Sequence, residues 1–271
     1  MDYGQSSADD NSDLPSSPIH AAIEPSKNGP PILCLLRHSV RLDDQCELSA
    51  IADVQWPDRM SRPYDTPIFD QEKPIAAARA MQKSGLDFDV VVSSPFRRCL
   101  QTASAISKSF GLTSLVVDNR LGEYLPQARR TWAAAGLDPG EYVYVTLDDA
   151  AQWAGLPEAG VLWDRSAHPV LIESDDDLAE RVATVPQICA SALERIQCSS
   201  ANPHVLLVTH GDVINRLVPS FDWDPSVGRY RAVECGWVAW TGHDRLPAYA
   251  GDTVDLLDVA RVLACEGIEP L

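Results

Sequence analysis

The chain has 271 residues, 45% of them hydrophobic, enough to bury the core of one large domain or of one domain with an insertion. A formal net charge of -17 excludes non-specific binding to nucleic acid or to an acidic membrane surface, which both need a basic face, so attraction for an anionic ligand must be local. The seven cysteines are scattered without a Cys-x-x-Cys pair, as suits reduced thiols in a cytoplasmic or nuclear protein, and no apolar run approaches the roughly 20 residues that span a bilayer.

Residues 1 to 30 carry five acidic side chains against Lys27 and are rich in Ser and Pro. They read as a disordered acidic tail, because so little apolar surface cannot offset the entropy of ordering. Residues 31 to 271 are the expected folded domain. Ile32-Leu33-Cys34-Leu35-Leu36 runs straight into Arg37-His38 and then Arg41, the pattern of a buried parallel strand that delivers polar groups at its carboxyl end. Flanking guanidinium groups should depress the His38 pKa and leave a neutral imidazole with a free lone pair, which makes it a candidate nucleophile. Arg37 and Arg41 beside it suit a tetrahedral anion, phosphate above all.

Residues 42 to 70, with Pro57, Pro63 and Pro67, read as a long loop over the same end of the sheet. Pro74 in a first turn and Gly85 as a stop predict a helix over 73–84. A second buried strand is expected over 89–95, and Arg97 to Phe110 predicts a helix closed by Gly111. Leu115 to Asp118 is a third short strand, leading to Glu123. From 124 to 173, Trp132, Trp153 and Trp163 are spread among Gly, Pro and Asp, and an inserted roof over the site is expected there. Ser174 is an N-cap ahead of Asp175, Asp176 and Asp177, with a helix to about 197 that Pro186 kinks. Val205 to Gly211 repeats the opening pattern, a buried strand ending in His210, and is followed by a helix. Gly236 to Trp240 predicts the last strand.

The alternation of strand and helix predicts an α/β fold in which Arg37, His38, Arg41, Arg98, Glu123 and His210 converge on one sheet edge. The sequence then resembles the histidine phosphatase superfamily, the phosphoglycerate mutase-like fold. The resemblance rests on Arg37-His38 after an apolar strand, on Ser93-Ser94-Pro95 followed by Arg98-Cys99-Leu100-Gln101-Thr102-Ala103, on Glu123, and on Val208-Thr209-His210-Gly211. Arg41 and the segment Arg62-Pro63-Tyr64-Asp65-Thr66-Pro67 look most like the phosphatase domain of the ubiquitin-associated and SH3-containing tyrosine phosphatases and their smaller fungal and protist relatives.

This resemblance implies a three-layer sandwich with a mostly parallel central sheet flanked by helices. It also implies a phosphomonoester hydrolase that needs no cofactor and no metal. His38 would be the nucleophile that forms phosphohistidine, Arg37, Arg41, Arg98 and His210 would bind the phosphate oxygens, and Glu123 would be the general acid and base. The expected partner is a phosphorylated small molecule or phosphoprotein, and a homodimer is left open. The family's glycine after the histidine is replaced by Ser39, which implies either lower turnover or an added hydroxyl contact. Three alternatives stand beside the hydrolase: a phosphoglycerate mutase-like phosphoryl transferase, a weakly active phospho-ligand binding module, and a metal hydrolase on His38, His210 and Glu123. The arginines argue against the last, because they repel a divalent cation.

Overall fold

Side chains of a strand alternate between its two faces, and in Ile32–Arg37 (β1) both faces are covered. Cys34 and Leu36 pack into one hydrophobic core and Leu35 into the other, which is why this segment is apolar without a break. The computed structural model describes residues 31–46, 51, 55–58, 61–62, 64–125, 145–164, 173–220, 232–241 and 247–250. The tail expected over 1–30, and residues 126–144 and 165–172 of the expected roof, lie outside them.

The remaining strands are Val90–Ser93 (β2), Leu115–Asp118 (β3), Val161–Asp164 (β4), His204–Thr209 (β5), Trp237–Thr241 (β6) and Pro247–Ala250 (β7). They form one sheet in the order β4-β3-β2-β5-β1-β6-β7. β1 to β5 are parallel neighbours, and β6 runs antiparallel to both β1 and β7. The short helix Leu42–Gln45 (α1) follows β1 within the stretch expected to be loop. Glu72–Lys83 (α2), Arg97–Ser109 (α3) and Leu147–Ala154 (α4) pack on one face through residues such as Ala78, Leu100 and Ala150. Asp175–Val182 (α5), Val185–Arg195 (α6) and Gly211–Ser220 (α7) cover the other through Leu178, Ile188 and Val213. The result is the three-layer α/β sandwich.

Three sequence expectations change. The stretch from 124 to 173 is not all roof: α4 is core and β4 is the sheet's edge strand, paired in parallel with β3 from Leu115↔Val161 to Asp118↔Asp164. The expected kink at Pro186 is a full break. Proline takes the second position of α6, where it needs no N–H, while in a continuous helix its ring would strike the Val182 carbonyl. β6 is also not the last strand, since β7 pairs with it.

The topology opens the site. β1, β2 and β3 lead to helices on one face, whereas β4 and β5 lead to helices on the other, and β5 lies between β1 and β2. Chains leaving neighbouring strands in opposite directions leave a crevice at the carboxyl ends, the place where open α/β sheets bind ligands.

Candidate active site

Register alone brings the two histidines together. Arg37 pairs with Thr209, so His38 and His210 are the next residues on adjacent parallel strands, and the His38 N–H donates to the Thr209 carbonyl at 2.9 Å. Their rings meet edge to face with centroids 5.2 Å apart. Ser93 of β2 pairs with Val208, which places Ser94 against the same point, its Oγ 2.8 Å from His210 Nε2. From the first turn of α3, Arg98 reaches in with Nη2 3.2 Å from both Glu123 Oε2 and His210 Nδ1, while Nη1 donates to the Tyr64 carbonyl at 2.9 Å.

His38 is buried, and its Nδ1 lies 2.7 Å from the Ser39 carbonyl. Only Nδ1–H can make that bond, so the lone pair is on Nε2. Burial and the nearby Arg98, His210 and Arg37 hold its pKa well below the usual histidine value, which keeps the ring a neutral nucleophile. Burial and Arg98 likewise press His210 down to about 4 against the opposing pull of Glu123. A neutral His210 steadies Glu123 by donating from Nδ1, with Oε2 at 3.1 Å. Burial pushes the Glu123 carboxyl up, but its contacts with His210 and Arg98 outweigh that and hold it well below the usual carboxylate range. The resting site thus contains an ionised Glu123.

Arg37 is held by the turn before β6. Its Nη1 donates to the Ala232 carbonyl at 2.9 Å, Nη2 pairs with Glu234 at 2.9 Å, and its buried Nε has no protein partner. A Cβ on Gly211 would come within 3.3 Å of that Nε, so glycine there leaves room for the guanidinium. Arg41, expected in the phosphate clamp, pairs through both Nε and Nη2 with Asp43, two residues along, with Asp44 3.8 Å away. Arg98, Arg37, His38, His210 and Glu123 converge, and Arg41 lies within electrostatic reach of Glu123.

Sequence reading missed Ser94 as a partner of His210 and Thr102 as the group that accepts the Ser39 N–H at 3.0 Å. The Ser-Ser-Pro run after β2 was the available signal for the first. For the second there was none, because Thr102 is set by helical phase from Arg98, whose carbonyl its hydroxyl also engages at 2.7 Å. His38, Glu123 and His210 place ligand atoms within 4.8 Å of one another, close enough for a metal in principle. The Arg98 guanidinium already stands on two of them, so a divalent ion would meet like charge there.

Neutral histidines, a guanidinium and a carboxylate thus meet at the mouth of a mostly parallel sheet whose fold is phosphoglycerate mutase-like. Residues 52–135 match the family model of the histidine phosphatase superfamily (branch 1). The fold of the chain is that of the ecdysone phosphate phosphatase of Bombix mori solved with tungstate, with a TM-score of 0.59 and 15% identity over 78% of this chain and 89% of that one. Two further solved structures are similar. A mycobacterial glucosyl-3-phosphoglycerate phosphatase in complex with VO3 is 23% identical over 83% of this chain and 95% of that one, with a TM-score of 0.44. A phosphoglycerate mutase from Bacillus anthracis is 17% identical over 88% and 99%, with a TM-score of 0.46.

Proposed function

We propose that the protein is a phosphomonoester hydrolase that works through phosphohistidine on His38. The observation that carries this reading is the hydrogen bond from His38 Nδ1 to the Ser39 carbonyl, which fixes the lone pair on Nε2 beside Arg98 and Arg37. His38 Nε2 attacks phosphorus as the ester P–O bond breaks. Arg98 and Arg37 stabilise the negative charge on the phosphoryl oxygens. An entering phosphate dianion competes for Arg98 and sets like charge beside Glu123, so the carboxyl becomes easier to protonate on binding and gives its proton to the leaving oxygen. Water then attacks the phosphohistidine, Glu123 takes the proton, and phosphate and free His38 are released.

The superfamily includes phosphatases and mutases. Arg41 and the segment 62–67, similar to the ubiquitin-associated and SH3-containing tyrosine phosphatases, support hydrolysis here. The named activities of the similar phosphatases support an ester with a bulky leaving group as substrate, whether a small molecule or a phosphoprotein. No metal is assigned a part, because Arg98 supplies the positive charge.

Rapid quench with labelled aryl phosphate tests the reading. The expected product is an acid-labile, alkali-stable phosphoenzyme that His38→Ala abolishes together with turnover, by a factor of about 1,000 or more. An acid-stable phosphoester, or a His38→Ala variant that keeps a tenth of the activity, would overturn it.

A further inference from the structure

Glu123 sits at the end of a single 3-10 turn, Asn119–Leu121, and such a short turn does little by itself to fix a catalytic carboxylate. Three consecutive carbonyls of this loop are nevertheless taken by side chains from two other elements. Arg181 of α5 donates from Nη1 to the carbonyls of Arg120 at 2.6 Å and Gly122 at 2.9 Å. Between them, the hydroxyl of Thr209, at the end of β5, donates to the Leu121 carbonyl at 2.7 Å. Arg181 is itself held by the buried Glu173, with Nε on Oε2 at 2.9 Å and Nη2 on Oε1.

We infer that Arg181, aided by Thr209, is a positioning residue that sets the Glu123 carboxylate against Arg98 and His210 and so aims its proton at the leaving oxygen. The inference rests on the reading of Glu123 as the proton donor. The Gly122 carbonyl belongs to the peptide that carries the Glu123 N–H, so Arg181 grips the unit from which the carboxylate hangs. Thr209 ties the same loop to the residue before His210. The two halves of the proton-transfer pair are thereby fixed to each other through the backbone. Burying an Arg–Glu pair is costly in desolvation, and apolar side chains of similar size would pack α5 as well. What they would not do is hold the 122–123 peptide in place, and a misplacement of about 1 Å costs roughly 100-fold in rate.

The test compares an alkyl phosphate, whose leaving oxygen needs a proton, with para-nitrophenyl phosphate, whose leaving group does not. Arg181→Met should lower kcat/KM on the alkyl ester by about 10- to 100-fold and on the aryl ester by less than roughly threefold, with inhibition by vanadate unchanged. Adding it to Glu123→Gln should cost nothing further, because the group it positions is already disabled. Thr209→Val keeps the side-chain shape and removes only the donor, so it should show the same selectivity at smaller size, and it decides the matter if Arg181→Met does not fold. Equal losses on both esters, or losses that add to those of Glu123→Gln, would make Arg181 merely structural and overturn the inference. Equal losses for Glu123→Gln alone would instead remove the proton-donor reading, and the inference with it.

Discussion

Ser39 stands where the family resemblance calls for glycine, and its surroundings show why a side chain is tolerated. Gln197 and Cys235 are the non-glycine residues with positive φ among the described residues, so Ser39 is not in the left-handed region where a Cβ is strained. Its N–H is taken by Thr102, and its hydroxyl donates to the Asp70 carbonyl at 3.2 Å. The hydroxyl is therefore committed to the protein, and neither the expected loss of turnover nor an added phosphate contact follows from it. Ser39→Gly is expected to lower stability by about 1–2 kcal/mol, from a lost hydrogen bond and added chain entropy, as read by chemical denaturation. On an aryl phosphate its kcat/KM should stay within roughly threefold of the parent, under 1 kcal/mol of barrier. A tenfold gain would show that Ser39 restrains catalysis, and would revive the binding-module alternative whose sequence support was this residue.

At the scale of elements, α5 is the helix that brings Arg181 to the site, and its start is set locally. Ser174 Oγ accepts from the Asp177 N–H at 3.1 Å and Asp177 Oδ2 accepts from the Ser174 N–H at 2.8 Å, a reciprocal capping box. Ser174→Ala should cost about 1 kcal/mol in a urea or thermal melt, and an unchanged midpoint would mean that tertiary contacts alone hold the helix start. This cap was legible in the sequence, as were β1, β2, β3 and β5, because Ser before acidic residues and short β-branched runs each carry a local physical signal. The convergence of His38, Arg98, Glu123 and His210 was legible too, since each follows a strand on the same sheet edge. What stayed hidden was set by non-local contacts. β4 is a four-residue segment with no alternation to mark it, recognisable only by its pairing with β3. The pairing of Arg41 with Asp43 was not foreseen, because spacing says nothing of how neighbouring side chains turn. Arg181 was passed over because a lone arginine in a helix ordinarily faces solvent, and the carbonyls it serves lie about 60 residues earlier.

For the molecule as a whole, the proposed function raises the difficulty of how a chain of net charge -17 would bind a phosphate dianion. The arginines do not provide a standing positive field. Arg37 is paired with Glu234, Arg98 with Glu123 and Arg41 with Asp43, so each guanidinium comes with a carboxylate. Affinity would have to arise at short range, from buried donors that exchange one anion for another, while the rest of the surface repels the ligand. These two contributions respond differently to salt. The Debye length falls from about 30 Å at 0.01 M to about 10 Å at 0.1 M, which screens the distant repulsion, whereas buried contacts are screened much less. Tungstate or vanadate should raise the melting temperature by binding the native state, and Arg98→Ala should remove most of that rise. Raising inert salt from 0.01 to 0.1 M should leave the oxyanion affinity unchanged or tighten it, as measured by titration calorimetry with tungstate. A marked loosening over that range would mean that a net positive local field draws the anion in, and the balance of paired charges described above would be wrong.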